Sequence, residues 1–150
     1  MEYSGTVHIA AQRGSVWALL SDARRLEPCV PGLRNLEEVV VDVEYRGMLT
    51  IPLGGREQSL PAIVYWEETR APVFGQMRIR TALGTTLIDV ASSIRLEETE
   101  TTTGVTWTAK VTLPDASPSL ERTVVPLLQP LALRGIDEFF TRVKRMLETA

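Results

Sequence analysis

The sequence holds a single cysteine, Cys29, and a single histidine, His8, in 150 residues. One cysteine cannot close an internal disulfide, and together the two residues fall short of the four ligands of a structural zinc site. A Cys–His nucleophile pair would have to rest on Cys29 and His8 alone. An excess of positive charge is also missing: 16 Lys and Arg stand against 19 Asp and Glu, a net charge of −3. That balance excludes a generic nucleic-acid binder, which needs a strongly basic face. Long hydrophobic runs are absent as well. Stretches such as Val39-Val40-Val41 fall far short of the ~20 residues that span a bilayer. The start, Met1-Glu2-Tyr3-Ser4-Gly5, has no basic region followed by an apolar run, so no secretory signal is expected and the cytoplasm is the default location.

What the sequence does have is apolar material, 44% of its residues. A chain of this length forms one domain, 1–150, and buries roughly 68–70% of its unfolded surface. It therefore needs neither disulfides nor a structural metal to stay folded. No repeat, linker or low-complexity tract divides it.

Tyr3 to Ala10 alternates apolar and polar residues and reads as a strand. Val16, Leu19 and Leu20 follow at helical spacing. Ser21-Asp22 ends that helix, and Asp22 can cap a second short one from Ala23 to about Pro28. Pro28-Cys29-Val30-Pro31-Gly32 must then turn, because Pro31 lacks an N–H and Gly32 accepts positive φ. Six strand-length runs come next: Leu33–Val40, Glu44–Leu53, Gln58–Thr69, Val73–Leu83, Thr86–Glu98 and Gly104–Leu113. They are separated by turn residues such as Gly54-Gly55, Arg70-Ala71-Pro72 and Gly84. In the last, Val105, Trp107, Ala109, Val111 and Leu113 share one face, opposite Thr106, Thr108, Lys110 and Thr112. Leu128, Ala132, Ile136, Phe139, Val143 and Met146 or Leu147 finally form a helical stripe. Ser117 before Pro118 is a capping signal. Pro126 and Pro130 predict a regular helix only from about Pro130 to Leu147, with looser turns before it.

This order predicts an α+β fold in which a long C-terminal helix lies across a curved, seven-stranded antiparallel sheet, with two short helices after the first strand. A helix is only ~10–12 Å wide, so a sheet wrapped around it is expected to leave a cavity between them.

Two local motifs carry a family resemblance: Val16-Trp17-Ala18-Leu19-Leu20-Ser21-Asp22, and Leu26-Glu27-Pro28-Cys29-Val30-Pro31-Gly32-Leu33. With the element order, they resemble the START/Bet v 1-like (SRPBCC) superfamily of helix-grip domains, and within it the carbon monoxide dehydrogenase G-subunit family, whose Cys-x-Pro-Gly turn the second motif matches. The resemblance implies a deep apolar pocket for a lipid, a polyketide-like ring system or an isoprenoid quinone. It also implies a molybdenum hydroxylase such as carbon monoxide dehydrogenase as partner, and a link to the membrane. The sequence departs from the family pattern at Pro114-Asp115-Ala116-Ser117-Pro118-Ser119, where members often carry a glycine-rich stretch. With no further tail after Ala150 to act as a tether, ligand binding is the firmer expectation and peripheral membrane contact the weaker one.

The residues expected to line a pocket are Trp66, Met77, Val90, Trp107, Ile136 and Phe139, since they fall on inward faces and aromatic and Met side chains suit large apolar ligands. Trp17 is expected to pack against the sheet or at its rim. His8 is placed on the wet face of the first strand; a side chain reaching the pocket instead would supply an acid–base group. Asp89 faces water if Ile88 and Val90 face inward; the opposite register would give a pocket carboxylate. Arg78 and Arg80 form an outward stripe, Cys29 is a buried apolar plug, and Glu97-Glu98-Thr99-Glu100 is a solvated turn. Arg142, Lys144 and Arg145 complement the dipole of the last helix. No metal, cofactor or nucleic acid is implied, and no catalytic set is assigned. The expected function is a carrier or binding domain for a lipophilic small molecule, accessory to an oxidoreductase. An acid–base enzyme of the same fold (cyclase, dehydratase or hydrolase) and a protein-assembly module are the alternatives. An edge strand would offer a route to a homodimer.

Overall fold

The computed structural model of the chain describes residues 1–148. Strand β1 (Glu2–Ile9) leads into helices α1 (Arg13–Leu20) and α2 (Ala23–Leu26) and a 3-10 turn, Glu27–Cys29. Strands β2 (Leu33–Val40), β3 (Glu44–Leu53), β4 (Arg56–Arg70), β5 (Phe74–Leu83), β6 (Thr86–Glu98) and β7 (Thr103–Thr112) follow, then helix α3 (Pro118–Glu148). The strands form one antiparallel sheet in the order β1-β7-β6-β5-β4-β3-β2. Every neighbour except β1–β7 is a hairpin. Register shifts at Trp66/Glu68 in β4, and at Arg34/Glu37 and Glu38/Val40 in β2, add the local bend and twist a strongly curved sheet needs.

The local signals explain the short helices. The Asp22 carboxylate accepts from the Arg24 backbone N–H at 3.0 Å and starts α2. The Ser117 hydroxyl accepts from the Leu120 N–H at 3.1 Å, with Pro118 at the first helical position of α3. The expected break near Pro130 does not occur, and α3 runs without interruption through both prolines. Pro126 and Pro130 lie four residues apart on the same, exposed side. The carbonyls of Arg122 and Pro126 that lose their helical donors therefore face water, while buried Val124 and Leu128 hold the other side down.

Two apolar clusters hold helices and sheet together. In the larger, Val16, Leu19 and Leu20 of α1 meet Ile9, Leu96 and Val105 of the sheet and Phe140 and Val143 from the last third of α3. In the smaller, Val124 and Leu128 from the first half of α3 close over Ile88, Val111 and Leu113. Helix α3 thus grips the β1–β7–β6 side of the sheet. The concave face of β3, β4 and β5 is left to α2 and the turn that follows it.

Candidate ligand-binding site

The period-2 alternation of β4 puts Ala62, Val64 and Trp66 on its concave face, and register places Val64 beside Ile79 and Trp66 beside Met77 on β5. Leu49 of β3, and Leu33 and Leu36 of β2, continue the wall. Ala23 and Leu26 of α2, with Val30 after the 3-10 turn, cover it. The side chains around this cavity are apolar throughout, and the indole N–H of Trp66 is their one polar group. The space that the centre of a water-sized molecule can occupy measures about 70 Å³, and the empty volume reaches about 570 Å³ with the open solvent at its mouth included. A water molecule needs roughly 10–15 Å³ of such space and two to four polar partners. The cavity therefore exceeds one water several-fold and offers water almost nothing to bond to. Its chemistry suits an alkyl chain or a flat apolar ring.

An aromatic pair stands at the Trp66 end. Trp17 of α1 packs on Trp66 with ring centroids 6.4 Å apart. Both rings lie over Gly75, where an added Cβ would come within 2.8 Å of the Trp66 ring and 3.3 Å of the Trp17 ring. The glycine makes room for both rings on the sheet. Trp17 accordingly packs against the sheet.

A second, wider space runs between α3 and the β1 edge. It is lined by Glu2, Tyr3, Ser4 and Val7 of β1, Trp107 of β7, and Leu133, Ile136, Asp137 and Phe140 of α3, and measures about 840 Å³ with its open side included. Trp107 lies over Gly5 and meets Phe140 at 5.7 Å between centroids, while Phe139 stands edge-on to Phe140 at 5.1 Å.

The six side chains expected to line one pocket are therefore divided. Trp66 and Met77 reach the enclosed cavity, and Trp107 and Ile136 reach the α3 groove. Val90 sits between Ile79 and Val111 and packs on the smaller cluster, while Phe139 packs on the larger one. Neither is in the wall of these two spaces. Ala62, Val64 and Ile79 follow from the same strand parity that singled out Trp66 and Met77. Ala23, Leu26 and Val30 carried no signal, because only the folding of α2 back over the sheet brings them there.

Titratable candidates lie elsewhere. His8 is exposed on the convex face, with its ring 3.6 Å from where a Cβ on Gly104 would be. Asp89 is on the same face, where its Oδ2 accepts from Arg78 Nη1 at 2.8 Å. Arg78 Nε donates to Glu67 at 2.6 Å, and the Arg80 guanidinium lies over Tyr65, 5.6 Å from the ring centroid. Neither His8 nor Asp89 reaches either cavity. Among the described residues no cluster of His, Cys, Asp and Glu is arranged to hold a metal ion. No helix among them is long and apolar enough to cross a membrane.

Cys29 is fully buried, with its Sγ 3.2 Å from Met146 Sδ. Burial pushes its thiol above the ordinary value, against a smaller opposing pull from Arg142 and Arg25. Tyr45 is pushed up too, first by burial and then by its hydrogen bond to Glu38. In both groups the folded state holds its proton to higher pH than the unfolded state. Stability is then full below the ordinary pKa, 9.0 for the thiol, and falls as pH rises from there through the raised folded value. The urea midpoint should thus be lower at about pH 10.5 than at about pH 8, and Cys29→Ala should shrink the difference. An unchanged midpoint would contradict this placement of the two groups.

The family model for the G subunit of carbon monoxide dehydrogenase (CoxG) matches residues 5–148. Among solved structures, a conserved protein from Geobacillus kaustophilus superposes with a TM-score of 0.81 at 18% identity, covering 99% of this chain and 96% of that one. A START superfamily protein from Mycobacterium smegmatis superposes with a TM-score of 0.66 at 15% identity, over 99% and 97% of the two chains. A Chromobacterium violaceum protein reaches a TM-score of 0.73 at 12% identity, over 98% and 96%. At these identities the likeness is one of fold. A search of curated proteins finds no match to the sequence.

Proposed function

Since the chain belongs to the CoxG family, that of the carbon monoxide dehydrogenase G subunit, we propose that it is a binding or carrier domain for a lipophilic small molecule, accessory to an oxidoreductase of the carbon monoxide dehydrogenase type. The observation that carries this reading is the cavity under α2, whose wall offers contact area and almost no hydrogen bonding. An apolar ligand gains roughly 25 cal/mol for each Å² removed from water, before the entropy of binding is set against it. Lipids, quinones and polyketide-like rings all present such area. The acid–base alternative loses the two residues it relied on, because His8 and Asp89 face away from both cavities. The oxidoreductase is the partner that would supply or consume the cargo; the family's own name is what supports it.

Mass spectrometry of an organic extract of the protein purified from its native host tests the reading. A lipophilic molecule recovered in near-stoichiometric amount is the expected result. An empty protein whose Trp66 fluorescence is quenched by neither fatty acids nor quinones would end it.

A further inference from the structure

The sheet has two edges, β1 and β2, and they differ. At β2, two register shifts and the positive φ of Asn35 (56°) interrupt the free edge, a device that blunts strand-to-strand association. At β1, all eight residues run beside β7 in unbroken register, with no proline and no bulge. Met1 and Val111 exchange both backbone hydrogen bonds, at 3.1 and 2.8 Å. By the alternation of an antiparallel ladder, Tyr3, Gly5, Val7 and Ile9 then bond β7, while Glu2, Ser4, Thr6 and His8 turn their N–H and C=O groups outward. Among the described residues nothing pairs with those outward groups. The Glu148 side chain closes the edge only beyond them, where its Oε1 accepts from the Ala10 N–H at 3.1 Å. We propose that this edge is a homodimer interface, in which β1 of two copies pair antiparallel about a two-fold axis and join the two sheets into one.

The side chains favour one register, with Gly5 opposite Gly5 at the axis. Every outward residue then has a counterpart: Glu2 meets His8 and Ser4 meets Thr6, each pair formed twice. A shift by two residues separates Glu2 from His8, and a shift by one turns inner side chains against outer ones. Glu2 and His8 are both exposed, and an imidazole N–H donates readily to a carboxylate. Within its own chain Glu2 has only Lys110, 3.7 Å away on the surface, a contact worth little in water. Ser4 beside Thr6 extends a hydroxyl row that the single chain begins, where the Oγ1 atoms of Thr6 and Thr106 lie 3.5 Å apart. On the concave face Tyr3 meets Val7, an aromatic and β-branched pair of the kind that stabilises sheets. Trp107 already lies over Gly5, with ring atoms 3.0 Å from an added Cβ, so the indoles of the two copies flank the axis across the two glycines. The α3 groove borders the same edge, with Tyr3 and Val7 in its wall and Leu133 52% exposed. A second copy covers part of that apolar surface, adding to the strand pair toward the ~800 Å² per partner of a standard interface.

The interface stands independently of the carrier reading, and sedimentation velocity of the full chain tests it. The weight-average mass should rise from that of one chain toward that of two as the concentration approaches about 100 µM. Thr6→Pro removes one outward N–H and sets a ring against the second copy, yet spares the β7 ladder, since proline is tolerated on the free side of an edge strand. This variant should remain monomeric at that concentration, with its urea midpoint nearly unchanged. Two exchanges of charge test the register. Glu2→Lys removes the acceptor, and His8→Glu sets two carboxylates side by side; each should weaken the dimer about fivefold or more, because the pair occurs twice. The double variant Glu2→Lys/His8→Glu should restore it, with the charges exchanged and again complementary. If Thr6→Pro fails to fold, the exchange of charge decides alone. A chain that stays monomeric throughout, a dimer that folded Thr6→Pro leaves intact, or a double variant as weak as the single ones would each overturn the proposal.

Discussion

Replacing Gly32 with alanine is expected to lower the unfolding free energy by about 3 kcal/mol or more. Gly32 has φ of +82°, a conformation that costs a side-chain-bearing residue roughly 1–2 kcal/mol by itself. The larger effect is steric. An added Cβ would overlap the Thr50 carbonyl oxygen, which belongs to the backbone of β3 and cannot rotate out of the way. Nor can the two segments move apart freely, because the Gly32 carbonyl accepts the Thr50 N–H at 2.9 Å. This is the point where the chain leaves the 3-10 turn and enters β2, with Val30 and Leu33 of the cavity on either side. Gly54→Ala makes the control: its φ is +63°, but an added Cβ there meets nothing within 4 Å. It should cost only the backbone term, about 1 kcal/mol. Urea unfolding would read the contrast as a midpoint lower by about 1–2 M for Gly32→Ala and by well under 1 M for Gly54→Ala. Equal losses would mean that the approach of Thr50 contributes nothing.

Much of the fold was legible because the punctuation is strong. Three strands, Leu33–Val40, Glu44–Leu53 and Thr86–Glu98, run between the residues that the turn chemistry marks. The others differ by one or two residues at their ends, where pairing with a neighbour and not the strand's own sequence decides the last bridge. Helix α3 was harder to read. A proline's cost depends on whether the carbonyl it orphans is wet, and that is a property of the packed helix; with both rings outward the helix continues. The site was legible by face and not by position. Parity assigned Trp66, Met77, Val90 and Trp107 to the concave side. It could not say which helix covers which part of a curved sheet. The expectation of a cavity under the C-terminal helix therefore gives way to two spaces. The enclosed one lies under α2 with no α3 residue in its wall, and the α3 groove is the wider and more open.

That division sets up the most informative binding prediction. Val64→Phe is expected to weaken binding of an apolar ligand at least about a hundredfold, close to 3 kcal/mol, while leaving the fold as stable as before to within about 1 kcal/mol. Val64 is half-buried on β4, its side chain in the cavity wall between Tyr45 and Ile79 in register. A phenyl ring at this position has the empty space in front of it to enter, so it meets few side chains that must be displaced. Filling an apolar void costs little or stabilises slightly, because new dispersion contacts form without new polar burial. Ligand and ring would then compete for the same volume. Quenching of the Trp17–Trp66 pair by a quinone, separated from Trp107 emission by comparison with Trp107→Phe, reads occupancy, since Trp66 is part of the wall. Ile136→Phe is the counterpart in the α3 groove and should leave that quenching nearly unchanged. The reverse outcome, binding that survives Val64→Phe and is lost in Ile136→Phe, would place the cargo beneath α3 and refute the cavity under α2 as the binding site. Loss in both variants with unchanged urea midpoints would mean that one long ligand bridges the two spaces, and single-site occupancy would have to be abandoned.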